Sequence, residues 1–296
     1  MFRELVLRLA NGRAPRGENQ SSGWRDPQRL RVGASLIGDA ATESVPISVC
    51  LATYNGERYV EEQIASILHQ IGPHDEIIVV DDASTDATVS LLRGVGDPRI
   101  RVTSSATNTG HVAAFERALG LARGSIILLS DQDDVWLPGR VGLMRQALVE
   151  RAYVASNWRV LGGDIPSSEI PTLRAHDSRS PLRNIIRIYL GTMPYFGCAM
   201  GFRREALAKI LPFPRAADAH DHWIAMLGNV DGGICHLAEY TVARRLHDKN
   251  LTFGRRSIGL VVVSRVKMTM LTAAALARRD WFGRPYFSVD ADVEQR

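Results

Sequence analysis

Asp131, Asp133 and Asp134 fall within four positions, directly after the apolar run Ile126-Ile127-Leu128-Leu129 and Ser130. Four branched apolar residues in a row read as a strand buried on both faces, as inside a parallel sheet. In an extended chain, residues two apart point the same way, so Asp131 and Asp133 can converge on one point. Negative charge gathered at the end of a buried strand is unfavourable unless a cation or hydrogen-bond donors sit there. A hard divalent cation with oxygen ligands is the natural candidate. A solvated acidic turn leading into a helix has the same local sequence, so both readings stand on this motif alone.

The elements that position this cluster are legible upstream. Ile47 to Ala52 reads as a strand, with Thr53-Tyr54-Asn55-Gly56 as the loop leaving it. Val60, Ile64, Ile67, Leu68 and Ile71 fall at helical spacing. Glu76 to Val80 is a second buried strand, ending in Asp81-Asp82, and Ser84-Thr85-Asp86 supplies capping residues for a helix through Leu92. A short strand at Ile100 to Thr103 and a helix at His111 to Ala122 precede the Asp131 strand. Strand and helix alternate, which predicts an α/β sheet with parallel strands at its core. Ligands bind beyond the carboxyl ends of strands in such sheets. Thr53-Tyr54-Asn55, Asp81-Asp82 and Asp131-Gln132-Asp133 all stand at those ends, so the polar groups should share one edge.

Further on, a helix is expected over Gly139 to Glu150 and a strand over Tyr153 to Asn157. Gly162 to Pro181 reads as a long loop and candidate lid. Gly197 to Phe202 reads as a strand, Arg203 to Ile210 as a helix, and Ile234 to Leu237 and Tyr240 to Arg244 as two further strands.

The chain of 296 residues is 45% hydrophobic and 23% charged, the composition of a globular protein. Its net charge of +4 fits an anionic partner without naming one. Cys50, Cys198 and Cys235 are far apart and odd in number, which favours buried thiols in a reducing, cytoplasmic setting over a disulfide framework. No signal peptide or uninterrupted membrane span is evident.

Beyond these readings, the chain resembles the inverting family-2 glycosyltransferases of GT-A fold, and within them a rhamnosyltransferase-like branch. The resemblance is carried by Ala52-Thr53-Tyr54-Asn55-Gly56, Val80-Asp81-Asp82-Ala83-Ser84-Thr85-Asp86, Asn108-Thr109-Gly110 and Ser130-Asp131-Gln132-Asp133-Asp134-Val135-Trp136. Gly197-Cys198-Ala199-Met200, His220-Asp221-His222-Trp223 and Arg245-Leu246-His247 continue it in the family's order. It implies a mostly parallel nucleotide-binding sheet flanked by helices, over 46–254. Residues 1–45 are then a flexible extension and 255–296 a basic helical tail. It implies that Thr53, Tyr54, Asn55 and Asp81 or Asp82 hold the nucleoside, and that Asp131 and Asp133 meet the ribose and the metal-bound diphosphate. His247 joins Asp133 and Asp131 as a metal or diphosphate neighbour. Asp221 becomes the general base, and partial burial beside His220, His222 and Trp223 should raise its pKa. Two departures stand out: His222 intervenes before Trp223, and Leu246 stands where relatives often carry Gln.

The implied reaction is Mg²⁺- or Mn²⁺-dependent transfer from dTDP-rhamnose or a UDP-sugar to a glycan or lipid-linked glycan, in bacterial surface polysaccharide synthesis. A nucleotidyltransferase would usually show a Gly-rich basic loop after the first strand, and Thr53-Tyr54-Asn55-Gly56-Glu57 is not one. A non-enzymatic module for anionic surfaces, or nucleic-acid binding, should line the sheet edge with basic residues, and that edge is carboxylate-rich. The segment from Arg255 to Arg279 mixes apolar and basic residues. It is expected either to dock peripherally on the anionic inner face of the cell membrane or to fold back on the domain.

Overall fold

The structure is a computed structural model, and it describes residues 45–162, 171–245 and 258–281. The 1–45 extension, save its last residue, and His247 therefore lie outside the described residues. So does much of the candidate lid.

Strands β1 (Ile47–Thr53), β2 (Glu76–Asp81), β3 (Ile100–Ser104) and β4 (Ile126–Ser130) pair in parallel, in the spatial order β3-β2-β1-β4. Helices cover both faces, which is why these strands are apolar without alternation. On one face, Val49, Leu51, Ile77 and Val79 pack with Val60, Ile64 and Ile67 of α1 (Val60–Leu68). Met144 of α4 (Arg140–Glu150) joins the same layer. On the other face, Cys50, Ile78 and Val80 pack with Ala114, Phe115 and Ala118 of α3 (His111–Leu121). The short helix α2 (Thr88–Gly94) lies between β2 and β3 in the chain.

Beyond β4 the sheet becomes mixed. Antiparallel β7 (Met200–Arg203) joins β4 to β6 (Tyr153–Val160), β8 (Cys235–Arg244) runs parallel to β6, and β5 (Val135–Trp136) closes the edge antiparallel to β8. The parallel pairing expected for the sheet thus runs through its β3-to-β4 half and returns between β6 and β8, so the sheet is mostly parallel.

Four features differ from the sequence expectation. β8 is one strand rather than two, because its register against β6 shifts at Asn157 instead of breaking. Gly197 to Ala199 forms a 3-10 turn before β7, so that strand starts later. The predicted helix over Arg203 to Ile210 is a 3-10 turn followed by the single turn α6 (Leu207–Ile210). Helix α5 (Pro181–Leu190), opened by a proline in its first turn, follows a 3-10 segment at Ala175–Arg179 and occupies the end of the expected loop region onward.

The tail helix α8 (Ile258–Trp281) lies on α7 (His220–Val230). Met268, Leu271 and Ala275 are buried in the same core cluster as Trp223 and Met226. Arg278 donates to the carbonyls of Ile210 and Pro212 and stacks over Trp223 at 4.8 Å. One face of this helix is therefore folded back on the domain.

Candidate active site

The parallel register sets Thr53 beside Asp81 at the carboxyl ends of β1 and β2. The Thr53 hydroxyl donates to Asp81 Oδ1 at 2.9 Å, and Ser84 donates its amide to Oδ2 at 2.9 Å. Asp82 accepts from the Thr109 amide at 2.8 Å, the Thr109 hydroxyl at 2.9 Å and the Gly110 amide at 2.7 Å. Both carboxylates are buried. They organise the rim loops: Asp81 ties β1 to the turn after β2, and Asp82 holds the segment that enters α3. Asn55 adopts a left-handed backbone with φ 47°, a conformation Asn tolerates better than most side chains. Its side chain accepts from the Thr85 amide at 2.9 Å. The Tyr54 side chain is 45% exposed.

The acidic segment does not continue as a strand. β4 ends at Ser130, and the chain turns at Gln132 and Asp133 before β5. The two-residue period of an extended strand therefore does not apply. The turn brings Asp134 back toward Asp131: ligand atoms of Asp131, Asp134 and Cys198 lie within 4.8 Å of one another. Asp133 stands beside them, close enough that its charge raises the pKa of both other aspartates. Gln132 fastens the turn to the first loop, accepting from the Tyr54 amide at 2.8 Å and donating to the Tyr54 carbonyl at 3.1 Å. Arg245 holds it from the other side, donating its amide to Asp134 at 3.2 Å and its Nε to the Asp133 carbonyl at 3.2 Å.

Two arginines lie beneath the acids. Arg140 is fully buried and donates to the Cys198 carbonyl at 2.8 Å. Burial pushes its pKa down to about 10, which leaves it charged at neutral pH. Arg244 stacks against Phe196 at 4.5 Å and Trp158 at 4.8 Å, with its Nε 3.8 Å from Asp134. That distance is an ion pair without a hydrogen bond.

Burial, then Asp134, Asp133 and later Asp221, raise the Asp131 pKa well above the usual carboxylate range, with Arg244 opposing. Burial and Asp133 do the same to Asp134. Asp134 Oδ2 is buried and accepts no hydrogen bond among the described residues. Mutually repelling carboxylates with a bare buried oxygen fit a divalent cation, whose charge would remove the repulsion. Burial followed by Asp134 and Asp131 pushes the Cys198 thiol well up, so without a cation it stays protonated.

Asp221 sits in the first turn of α7, and its charge is felt at Asp131. The expectation of a raised pKa is corrected here. Burial does push it up, but the imidazoles of His222 and His220 and the His222 amide, which donates to it at 2.7 Å, outweigh that and hold it below the ordinary value. His220 is buried and stacked on Phe115 at 3.9 Å, and burial lowers its pKa to about 4. It packs against Gly197, where a Cβ would stand 3.0 Å from His220 Cε1 and would overlap Nε2. His111 lies edge-on to His220 at 6.0 Å. Trp136 is buried over Arg140 at 4.6 Å and packs under the loop.

The sequence reading gave no site role to Asp134, Arg140, Arg244, Gln132 or Cys198. Asp134 carried a signal, being the third acid of the run. The arginines carried none, because an isolated Arg in a helix or strand reads as a solvated side chain.

Residues 48–211, more than half of the chain, match the family described as Glycosyl transferase family 2. TuaG of Bacillus subtilis, named as a teichuronic acid biosynthesis glycosyltransferase, is 35% identical over 112 residues, covering 37% of this chain and 44% of that protein. The chain thus spans less than half the length of that relative. Among solved structures, S. aureus TarS 1-349 in complex with UDP-GlcNAc aligns with a TM-score of 0.58 at 21% identity, covering 84% of this chain and 77% of that one. The mannosyltransferase PcManGT from Pyrobaculum calidifontis, in complex with GDP-Man and Mn²⁺, aligns with a TM-score of 0.50 at 19% identity, covering 78% and 73%. At these identities the two structures bear on the fold, which they share with this chain.

Proposed function

The chain belongs to glycosyl transferase family 2, and from that premise we propose that it transfers a glycosyl group, with inversion, from a nucleoside diphosphate sugar to a hydroxyl of a glycan or lipid-linked glycan in bacterial surface polysaccharide synthesis. The observation that carries this reading is the meeting of two carboxylate systems. Asp131, Asp133 and Asp134 come from the turn after β4, and Asp221 comes from the start of α7, within electrostatic reach of Asp131. Leaving-group stabilisation and proton removal need two such systems, facing one cleft from different elements.

Asp131 and Asp134 would hold a divalent cation, with Asp133 beside them. Mg²⁺ and Mn²⁺ suit the oxygen donors and keep positions open for phosphate oxygens. When bound, the cation supplies positive charge opposite the departing diphosphate. His247, two positions beyond the Arg245 that grips the acidic turn, is assigned to the same diphosphate. The exposed Tyr54 ring offers a face for the nucleobase. Thr53, Asn55, Asp81 and Asp82 shape that subsite by holding its loops. Asp221, ionised at neutral pH, accepts the proton of the attacking acceptor hydroxyl. The anomeric carbon carries oxocarbenium character as the bond to the diphosphate breaks. dTDP-rhamnose stands first among donors on motif resemblance, and a UDP-hexose second.

The test is calorimetric titration of UDP and dTDP with Mg²⁺, Mn²⁺ or chelator, in wild type and in Asp131→Asn, Asp133→Asn and Asp134→Asn. Affinity should need the metal. It should drop in the Asp131 and Asp134 variants by roughly tenfold or more, about the cost of one lost charge-assisted contact. Affinities equal in every condition would overturn the metal assignment. A sugar-nucleotide panel with product analysis then identifies the donor.

A further inference from the structure

We propose that α5 and α8 together form a two-helix platform that seats the enzyme on an anionic lipid bilayer surface. The tail segment alone suggested such docking in sequence. The structure buries one face of α8 on α7 and sets α5 against its flank.

Leu182, Ile186 and Leu190 recur every fourth residue on α5 and are 70%, 52% and 63% exposed. They form a stripe down its outer side, opposite the buried Asn184 and Ile188. On α8, Val262, Val266 and Met270 repeat the same spacing at 57%, 53% and 57% exposed, with Val263 and Leu276 alongside. Every exposed side chain of α8 from Val262 to Ala277 is uncharged. The two helices are neighbours: the Tyr189 and Thr272 hydroxyls are hydrogen-bonded at 2.9 Å, and Arg265 approaches Gly191. All exposed large apolar residues among the described ones, save Tyr54, Val149 and Tyr240, lie on these two helices. Isolated exposed apolar residues need no explanation, but a joined patch of this kind marks a contact surface.

Charge around the patch selects the occupant. Arg174, Arg179 and Arg183 are exposed at the start of α5, and Arg265 and Arg279 flank the α8 stripe. The nearby acids are already matched. Asp177 is buried and paired with Arg187 at 2.7 Å and with Arg183 at 3.8 Å, and Asp218 pairs with Lys267 at 3.0 Å, which leaves Arg174, Arg179, Arg265 and Arg279 as the wider basic rim. An apolar strip rimmed by basic side chains fits an anionic headgroup layer over acyl chains. No described helix is long and apolar enough to cross a membrane, so the contact is interfacial. α8 packs on α7, and α7 begins with the Asp221 turn, so docking would place the cleft at a fixed distance from the lipid surface. That consequence, delivery of a lipid-linked acceptor, rests on the transfer reaction proposed above; the surface itself does not.

Co-sedimentation of the full chain with phosphatidylcholine vesicles, with and without phosphatidylglycerol, needs neither donor nor acceptor and so is separable from activity. Binding should require the anionic lipid and weaken as salt rises past the point where the Debye length falls below about 8 Å. Ile186→Asp and Val266→Asp, both exposed and expected to fold, should each weaken binding by roughly tenfold, because each sets a charge in the interface against a like-charged surface. Val149→Asp, on the remote exposed face of α4, should bind as wild type. Failure of the wild type to bind anionic vesicles at low salt overturns the proposal, as does wild-type binding by both patch variants. Sedimentation velocity without vesicles supplies the remaining arm: a dimer dissolved by Ile186→Asp and Val266→Asp, in a protein that ignores vesicles, overturns it in favour of a second copy.

Discussion

Gly197→Ala tests whether the wall of the cleft is packed as tightly as the structure shows. The new methyl carbon would stand 3.0 Å from His220 Cε1 and 3.1 Å from Cδ2, and would overlap Nε2. Ordinary carbon contacts lie at about 3.5–4.0 Å, so the ring must move by several tenths of an ångström or more. It has nowhere to retreat, because its far face is stacked on the buried Phe115. Overpacking of this kind costs roughly 1–3 kcal/mol. The strain is passed to the start of α7, whose next residue is Asp221. Misplacing a reacting group by ~1 Å can cost about 10²-fold in rate. The expected result is therefore a lower urea midpoint at unchanged slope and a fall in kcat with nucleotide affinity nearly intact. The double variant Gly197→Ala/His220→Ala separates this cause from others. Removing the ring vacates the space, so the pair should be less destabilising than the sum of the singles by roughly 1 kcal/mol or more. His220 has no hydrogen-bond partner at either ring nitrogen among the described residues, so its own removal forfeits no hydrogen bond. Stability of Gly197→Ala within about 0.5 kcal/mol of wild type, or strict additivity in the double variant, would refute the packing argument.

Asp221→Asn should lower kcat by roughly 10²–10⁴-fold while leaving nucleotide binding nearly unchanged, since a base acting on the acceptor is needed in the transition state. Because the Asp221 pKa is held below its ordinary value, the acid limb it contributes to kcat/KM should lie below the usual carboxylate range; a limb near neutrality that disappears in Asp221→Asn would contradict the assignment. Glu76 offers a pH test of the fold itself. Burial works to raise its pKa, but hydrogen bonds from Ser48 at 2.7 Å, Arg101 at 2.8 Å and the Arg123 amide at 2.8 Å leave it lowered. A depressed acid stabilises the fold above its unfolded pKa, near 4.3, and that contribution fades as pH falls through the folded value. Urea midpoints measured across acid pH should fall less steeply in Glu76→Gln than in wild type, and identical slopes would show that the triad of donors contributes nothing.

Several parts of this protein were written in local sequence. The runs Ile47 to Leu51, Ile77 to Val80 and Ile126 to Leu129 read as strands covered on both sides, because apart from Ser48 they are apolar throughout. Strand and helix alternation then obliged their carboxyl ends to share an edge, which is where Thr53, Asp81 and the Asp131 turn stand. Periodicity read the helices of the first half for the same reason: a buried stripe repeats at the helical spacing wherever one side faces a core. α5 escaped because apolar residues lie on both its sides: Ile185, Ile188 and Tyr189 pack on the core while Leu182, Ile186 and Leu190 face outward, and the pattern does not tell the two sides apart.

The inner chemistry was decided by tertiary structure. Asp133 looked like the partner of Asp131 because an extended chain repeats every two residues. The chain turns after β4 instead, so Asp134 completes the group with Cys198, brought in ahead of β7. Arg244, from the end of β8, is remote in sequence and meets the acids only when β5 and β8 have paired. The ionisation of Asp221 followed the same rule: burial alone would raise its pKa, and the imidazoles of His222 and His220 together with the His222 amide reverse the direction. Spacing along the chain sets which way neighbouring side chains point. Charge, burial and ligand geometry depend on what the folded chain brings to the same few ångströms from elsewhere.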